Sequence, residues 1–510
     1  MTHKETFHTF PDYRAANLPR ILSSIDRDPF SPSFGCADRL YWGWKLIDYP
    51  DAALQRVALL LHLINHEKYT SEINAVFRFA SKIQHRDGSF DQAFPNEHSH
   101  ALSAFLLCDF TEICLGDHQL FVEYQEMLIH AGNYLIQHDE EHGFISNHLA
   151  GAATGLYKLF ILTHDEKYKN RSNYYENRVL SRQSEEGWYL EYNGADPSYQ
   201  TLCVYYLAQL YEMTKNETLW ESLRKATDFV SYFAHPDGSF GGEYGSRNCE
   251  IIYPGGIALL AKYIPCAAPL LGWCISAYQG NRTVTPLSVD MQNLTPLFSN
   301  VLFAEFILKQ NDILKIPEQK LPYENLDFER TFEEAGIDIR NSTEFYTVIS
   351  WKKGGVIKSF NKSTNRVRLD DCGILLEKKG RMFGTTQMLS DLNIVERKSD
   401  RIKIKSPVFA IKRPLPDPFS FLILRFLNLT FWKLKWLREL GKKALVRFLM
   451  RQCTRLNYSI EREIIFQSNG EPLLTDKLIP GNPAISLLTG KKYSMMHMAS
   501  SKYFYERSSI

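Results

Sequence analysis

Asn147 and His148 open one apolar segment, Asn147-His148-Leu149-Ala150-Gly151, and Asp196-Pro197-Ser198-Tyr199 opens another, with Tyr199 51 residues after His148. An amide or imidazolium near a tyrosine suits removal of a proton next to a carboxylate. Cleaving a 4-linked uronic acid by β-elimination needs the C5 proton, which is too weakly acidic while the adjacent carboxylate keeps its charge. Asn147, His148 or Arg247 bonded to that carboxylate would stabilise the developing enolate-like charge. Tyr199 would take the proton or return one to the leaving oxygen. A tyrosine ordinarily titrates at about 10, so Tyr199 needs a cation beside it, and His148 or His100 would supply one. Plainer roles suit the same residues: Asn147 is a favoured helix cap, and Tyr199 is also an aromatic that simply stacks on sugar.

Around these lie further polar and aromatic groups suited to binding a substrate: His98 and His100, Trp188, Tyr192 and Asp196, and Tyr244, Arg247 and Asn248. His98 and His100 lack a third ligand at recognisable spacing, so no metal and no cofactor is expected. A different chemistry would pair two carboxylates among Asp87, Asp91, Glu97, Asp196, Asp237 and Glu243 for glycoside hydrolysis.

The elements that must position these groups are helical through residue 310. Apolar residues recur at three- and four-residue spacing in Ala53–Ile64 and Thr201–Met213. One loop type recurs between such segments: Asp87-Gly88-Ser89-Phe90, His142-Gly143-Phe144, Glu186-Gly187-Trp188-Tyr189 and Asp237-Gly238-Ser239-Phe240. Their glycines are 55, 44 and 51 residues apart. That interval fits a helical hairpin. Four alike loops, rich in polar and aromatic groups, favour hairpins closed into an (α/α) toroid with the loops on one face, a lining that suits carbohydrate.

Beyond the prolines of 311–325, which read as a linker, the pattern turns to β. Short runs at Phe345–Ser350 and Gly355–Phe360, and at Gly373–Leu376 and Arg381–Thr386, flank Lys-Lys-Gly turns, and further strands are expected at Arg401–Ile411 and Ser459–Phe466. Residues 326–510 therefore predict an antiparallel, β-sandwich-like domain. Residues 416–455 interrupt it with nine Lys/Arg against Asp417 and Glu439, interleaved with apolar residues. This composition suits a basic amphipathic helical insertion lying on an anionic membrane, with Phe421, Phe426, Phe431, Trp432 and Trp436 as apolar contacts and Lys433 and Lys435 as charged ones. An insertion packed on the β domain, with a solvated basic face, is the alternative.

A helical toroid of residues 1–310 followed by a β domain resembles the heparinase II/III-like polysaccharide lyases. Within it, Asn147-His148-Leu149-Ala150-Gly151-Ala152-Ala153-Thr154-Gly155 and Glu191-Tyr192-Asn193-Gly194-Ala195-Asp196-Pro197-Ser198-Tyr199-Gln200 carry the likeness. Phe332-Glu333-Glu334-Ala335-Gly336, Gly354-Gly355 and Asp371-Cys372-Gly373 extend it weakly into the second domain. The resemblance implies β-elimination of a uronate-containing polysaccharide, with Asn147, His148 and Tyr199 as catalytic groups and an acidic glycan as partner. It also implies a histidine from the β domain, where the one histidine beyond residue 310 is His497. That departure leaves room for a non-catalytic glycan-binding protein of cell-surface polysaccharide assembly.

The whole chain of 510 residues has 59 Lys+Arg against 58 Asp+Glu, a formal charge of +1, and 13% aromatic residues. Near-neutrality gives no global reason to expect a nucleic acid. The nine cations and two acids of 416–455 leave the remainder net negative at about −6. Nine cysteines without metal spacing read as reduced thiols. The N-terminus lacks the pattern of a secretory signal, so a cytoplasmic protein, peripheral on the inner face of the membrane, is expected.

Overall fold

A computed structural model describes residues 9–140, 143–310, 320–325, 327–411, 417–446 and 454–495. The helical part comprises α1 (Arg14–Ser24), α2 (Arg39–Trp42), α3 (Val57–Ile83), α4 (His100–Gly116), α5 (His118–Gln137), α6 (Ser146–Thr163) and α7 (Glu166–Leu180). It continues with α8 (Pro197–Thr214), α9 (Glu217–Ser231), α10 (Pro254–Leu260), α11 (Ala267–Gln279) and α12 (Met291–Gln310). Helices α3, α4, α6, α8, α10 and α12 touch in that order, and α12 returns to α3, so the ring closes. Helices α5, α7, α9 and α11 each pack outside the inner helix that precedes them. This is an α/α toroid.

Inner helices are apolar nearly all round, as helices packed on both sides must be. Fifteen residues of α8 are buried, while the outer α9 keeps a polar face. Small residues in α6 set its distance from α4: a Cβ on Gly155 would lie 2.9 Å from the Cys108 nitrogen, and one on Gly151 would lie 2.8 Å from the Phe105 ring. The apolar run Gly255–Tyr278 is α10 and α11, a buried helix pair.

The β domain holds two antiparallel sheets. The first runs β1 (Phe328–Phe332), β2 (Ile337–Asn341), β3 (Phe345–Ser350), β4 (Val356–Asn361) and β5 (Arg366–Asp371) in sequence order. The second contains β6 (Leu375–Lys378), β7 (Arg381–Thr385), β8 (Ile394–Arg397), β9 (Arg401–Ala410), β10 (Arg455–Phe466), β11 (Pro472–Ile479) and β12 (Ser486–Leu488). Its order is β11-β10-β9-β7-β6-β12, with β8 also on β9. Ile349 and Ile357 of the first sheet pack against Ile402, Ile404 and Ile464 of the second, which makes the domain sandwich-like. Between β9 and β10 stand α13 (Pro418–Leu429) and α14 (Lys435–Val446). Most of the linker, 311–319, and His497 and Cys453 lie outside the described residues. The other eight cysteines are free thiols.

The turn at Lys352-Lys353-Gly354 departs from expectation. It joins β3 to β4, with Gly354 at φ +70°, yet Lys353 is buried rather than solvated. Its Nζ donates to the carbonyls of Glu243 (2.5 Å) and Gly245 (2.7 Å) and to Asn248 Oδ1. The hairpin is thus a plug in the toroid surface, and burial holds the Lys353 ammonium down to about 8.

Candidate active site

The start of α6 lies against the strand-like loop before α8. Ser146 N–H donates to the Leu190 carbonyl and Tyr192 N–H to the Phe144 carbonyl. This pairing brings Glu191, 44 residues after Asn147, under the first turn of α6. Glu191 Oε1 accepts the Asn147 backbone N–H at 3.0 Å, so a carboxylate from the next repeat caps this helix and meets its positive end. Asn147 is therefore the second residue of α6 and not its cap. The Asn147 side-chain Nδ2 lies 2.9 Å from both Glu191 oxygens.

Asp196 organises the other half. As the cap of α8 it accepts the Tyr199 backbone N–H at 3.1 Å through Oδ1, while Oδ2 accepts the Arg247 backbone N–H at 2.8 Å. The loop carrying Arg247 is thereby tied to the first turn of α8. Burial pushes the Asp196 carboxyl up to about 6, against the lowering effect of those two N–H groups. The Arg247 guanidinium then lies 3.4 Å from the centroid of the Tyr199 ring and 5.0 Å from that of Tyr192. Its Nη1 also meets Glu191 Oε2 at 3.2 Å. Burial works against this guanidinium's charge, but the neighbouring Tyr199, Glu191, Tyr192 and Asp196 outweigh it and raise its pKa. Asn147, Glu191, Arg247 and Tyr199 thus form one buried cluster.

His148 and His100 flank a second carboxylate. His148 Nδ1 is 3.1 Å from Glu140 Oε2, and His100 Nδ1 is 3.9 Å from the same oxygen. His100 Nε2 meets the Tyr175 hydroxyl at 2.8 Å, and burial pulls its pKa down to about 4. The Phe105 ring packs edge-on to His148 and stacks on Tyr206.

Other candidates are placed apart from this cluster. His98 stacks on His85 at 4.1 Å and pairs with Asp87 at 2.6 Å. Trp188 donates to Glu186, which in turn accepts the backbone N–H groups of Glu334 and Ala335 in the β domain. The buried Tyr244 hydroxyl meets His235 at 2.9 Å. Asn248 is engaged by Lys353, Gln387 and Ser494.

The carboxylates considered for hydrolysis all have other bonds. Asp87 and Asp237 accept from Ser89 and Ser239 within their own turns. Asp91 accepts from Asn96 and His98, and Glu97 from Gln92 and Ala93. Glu243, Asp370 and Cys372 offer ligand atoms within 4.8 Å of one another. Lys358 Nζ already stands 3.0 Å from Glu243 and 3.8 Å from Asp370, so an ammonium balances that cluster.

Glu191, Glu140 and Phe105 were not singled out from sequence. Glu191 had a usable signal, since it follows Asn147 by the same 44-residue interval as the adjacent loop glycines. Glu140 and Phe105 carried none.

No family model and no curated protein matches this sequence. Among solved structures, the chain is similar to the chondroitin AC lyase of Streptomyces coelicolor A3, crystallised with chondroitin sulphate. That TM-score is 0.51 at 8% identity, over 94% of this chain and 77% of that one. Heparinase III matches with a TM-score of 0.48 at 12% identity, over 83% of this chain. A mutant of the heparan sulfate lyase HepC from Pedobacter heparinus matches with 0.45 at 11%, over 93% of this chain and 70% of that one. The chain spans 60% of the length of the heparinase III chain. The likeness to the chondroitin AC lyase covers both the α/α toroid and the antiparallel β domain of this chain, and it is a likeness of fold.

Proposed function

We propose that the protein is a carbohydrate-active enzyme that cleaves an acidic, uronate-containing polysaccharide by β-elimination. The observation that carries this reading is the Arg247 guanidinium lying 3.4 Å from the Tyr199 ring centroid. A buried cation against a tyrosine favours the phenolate, the form in which it would act as the base. Tyr199 takes the C5 proton, and the same hydroxyl then protonates the leaving oxygen.

Both contacts of Asn147 Nδ2 go to one carboxylate, that of Glu191. Asn147 accordingly positions Glu191, Glu191 positions Arg247, and the substrate carboxylate is left to Arg247 and His148. A bond from His148 Nδ1–H to Glu140 leaves Nε2 as its second working atom. Tyr192 is partly exposed beside Arg247 and supplies a face for a sugar ring.

The test is release of unsaturated uronate products, followed by their ultraviolet absorbance, from a panel of acidic glycans. Tyr199→Phe lowers that rate by about a hundred-fold or more if the phenol carries the proton. The mutual engagement of Asn147, Glu191 and Arg247 favours one second reading, a toroid that holds an acidic glycan without cleaving it. In that case glycans bind, no unsaturated product forms with any of them, and Tyr199→Phe changes affinity alone.

A further inference from the structure

The helical insertion is built inside out. In α13 the single buried residue is the polar Asn428, while Phe419 is 70% exposed and Leu422 66%. Exposed apolar side chains continue through Phe421, Phe426 and Phe431 to Trp436, which is 68% exposed. Apart from Trp432, polar groups attach the insertion to the rest of the protein. Arg425 pairs with Asp48 at 2.9 Å, and Asn96 Nδ2 donates to the Asn428 carbonyl at 3.0 Å; within the insertion, the buried Arg438 donates to the Trp432 carbonyl. Trp432, expected among the lipid contacts, is instead buried at 5.0 Å from Phe94. An insertion packed on the protein through its apolar side would show the opposite pattern.

We propose that this face docks onto an anionic lipid bilayer, with α13, the Phe431–Lys433 turn and α14 lying in the interface. Charge complementarity selects the occupant. The segment 416–455 has nine Lys/Arg against two acids, and Lys433 and Lys443 are exposed among the apolar side chains. Protein interfaces are depleted in lysine, whereas Leu, Phe and Trp interleaved with Lys and Arg suit an anionic interface. The two helices have 12 residues each, and among the described residues no helix is long and apolar enough to cross a membrane. The loop that Asp48 ties to α13 widens the face with Trp44 and Leu46, 64% and 72% exposed. Tryptophan is enriched at membrane–water boundaries.

Co-sedimentation of the full chain with vesicles tests this without reference to catalysis. The probes are phosphatidylcholine vesicles with and without an equal part of phosphatidylglycerol. The protein binds the anionic vesicles, and added salt weakens the binding. Lys433→Glu with Lys443→Glu weakens it about twenty-fold or more, at about five-fold per cation removed. Combined Phe419→Ser, Leu422→Ser and Trp436→Ser abolishes it while leaving the thermal melting curve unchanged, because those side chains are exposed. Absence of binding, or equal binding to both vesicle types, overturns the proposal. A solution dimer that the triple substitution dissociates also overturns it, since the face would then join two copies of the chain.

Discussion

Arg247 is the charged group set against the Tyr199 ring, and the proposed chemistry rests on that pair. Arg247 is held from three sides: its backbone N–H on Asp196, its guanidinium Nη1 on Glu191, and the guanidinium against the tyrosine ring. A lysine would supply the charge without the flat stacking surface. The sequence displayed Tyr199 and Asp196 because they share a helix start, and it displayed Arg247 as a polar residue in the last repeat loop. It did not display their meeting, since histidine rather than arginine was the expected neighbour. The same scale carries a pH prediction. The folded His100 has its pKa depressed to about 4, below the ordinary value of 6.5, because burial disfavours the imidazolium. Between those values the unfolded chain binds more protons than the folded one, so stability is full above pH 6.5 and is lost as pH falls toward 4. Denaturant titrations across that window should show this decline, and His100→Gln should flatten it.

At the scale of elements, the repeated loops are explained by close contact with an outer helix that comes later in the chain, Gly88 with α5 and Gly187 with α9. Gly88, Gly187 and Gly238 all have φ near +90°, and a Cβ on Gly88 would lie 2.0 Å from the His130 carbonyl oxygen. Gly35 makes the same approach to Ala75 in α3, although Ser33-Phe34-Gly35-Cys36 lacks the acidic-Gly-aromatic signature. Gly143, grouped with these by sequence, makes no such close approach: a Cβ there would lie 3.7 Å from the Tyr192 ring. A glutamine completes the device: Gln84 Nε2 donates to the Gly88 and Met127 carbonyls, and Gln183 Nε2 to the Gly187 and Ser222 carbonyls. Gly88→Ala should therefore lower stability by about 1–3 kcal/mol or more, and Gln84→Ala by about 1–3 kcal/mol. Gly143→Ala should fall within about 0.5 kcal/mol of the parent in the same denaturant titrations. Six of the twelve described strands were legible because alternation and turn residues fix them locally, Phe345–Ser350 being β3 without adjustment, whereas β1, β2, β5, β8, β11 and β12 were not marked. The insertion's helices were legible too. Their orientation was not, because a wide apolar band looks alike whether it faces core or lipid.

Across the whole molecule, the β domain is a support for the toroid loop that carries Arg247. Lys358 of β4 is fully buried and pairs with Glu243 and Glu250 at 3.0 and 2.7 Å, on either side of Arg247 in sequence. Lys492 joins Glu250 at 2.9 Å. Nothing in the sequence marked Lys353 or Lys358 as buried, since a lysine in or beside a hairpin turn is ordinarily solvated and their partners lie over a hundred residues away. Removing the Lys358 ammonium leaves buried carboxylates unpaired, so Lys358→Met should cost about 3–5 kcal/mol in chemical denaturation. Any catalytic rate should fall with it as the loop loses its anchor. The central claim is the elimination itself, and the most direct test is mass spectrometry of the cleaved glycan after reaction in heavy-oxygen water. Elimination predicts an unsaturated non-reducing end, one water lighter than a hydrolytic fragment, with no heavy oxygen at the cleaved bond and loss of product in Tyr199→Phe. Saturated fragments carrying heavy oxygen, or no cleavage of any uronate glycan, would contradict it.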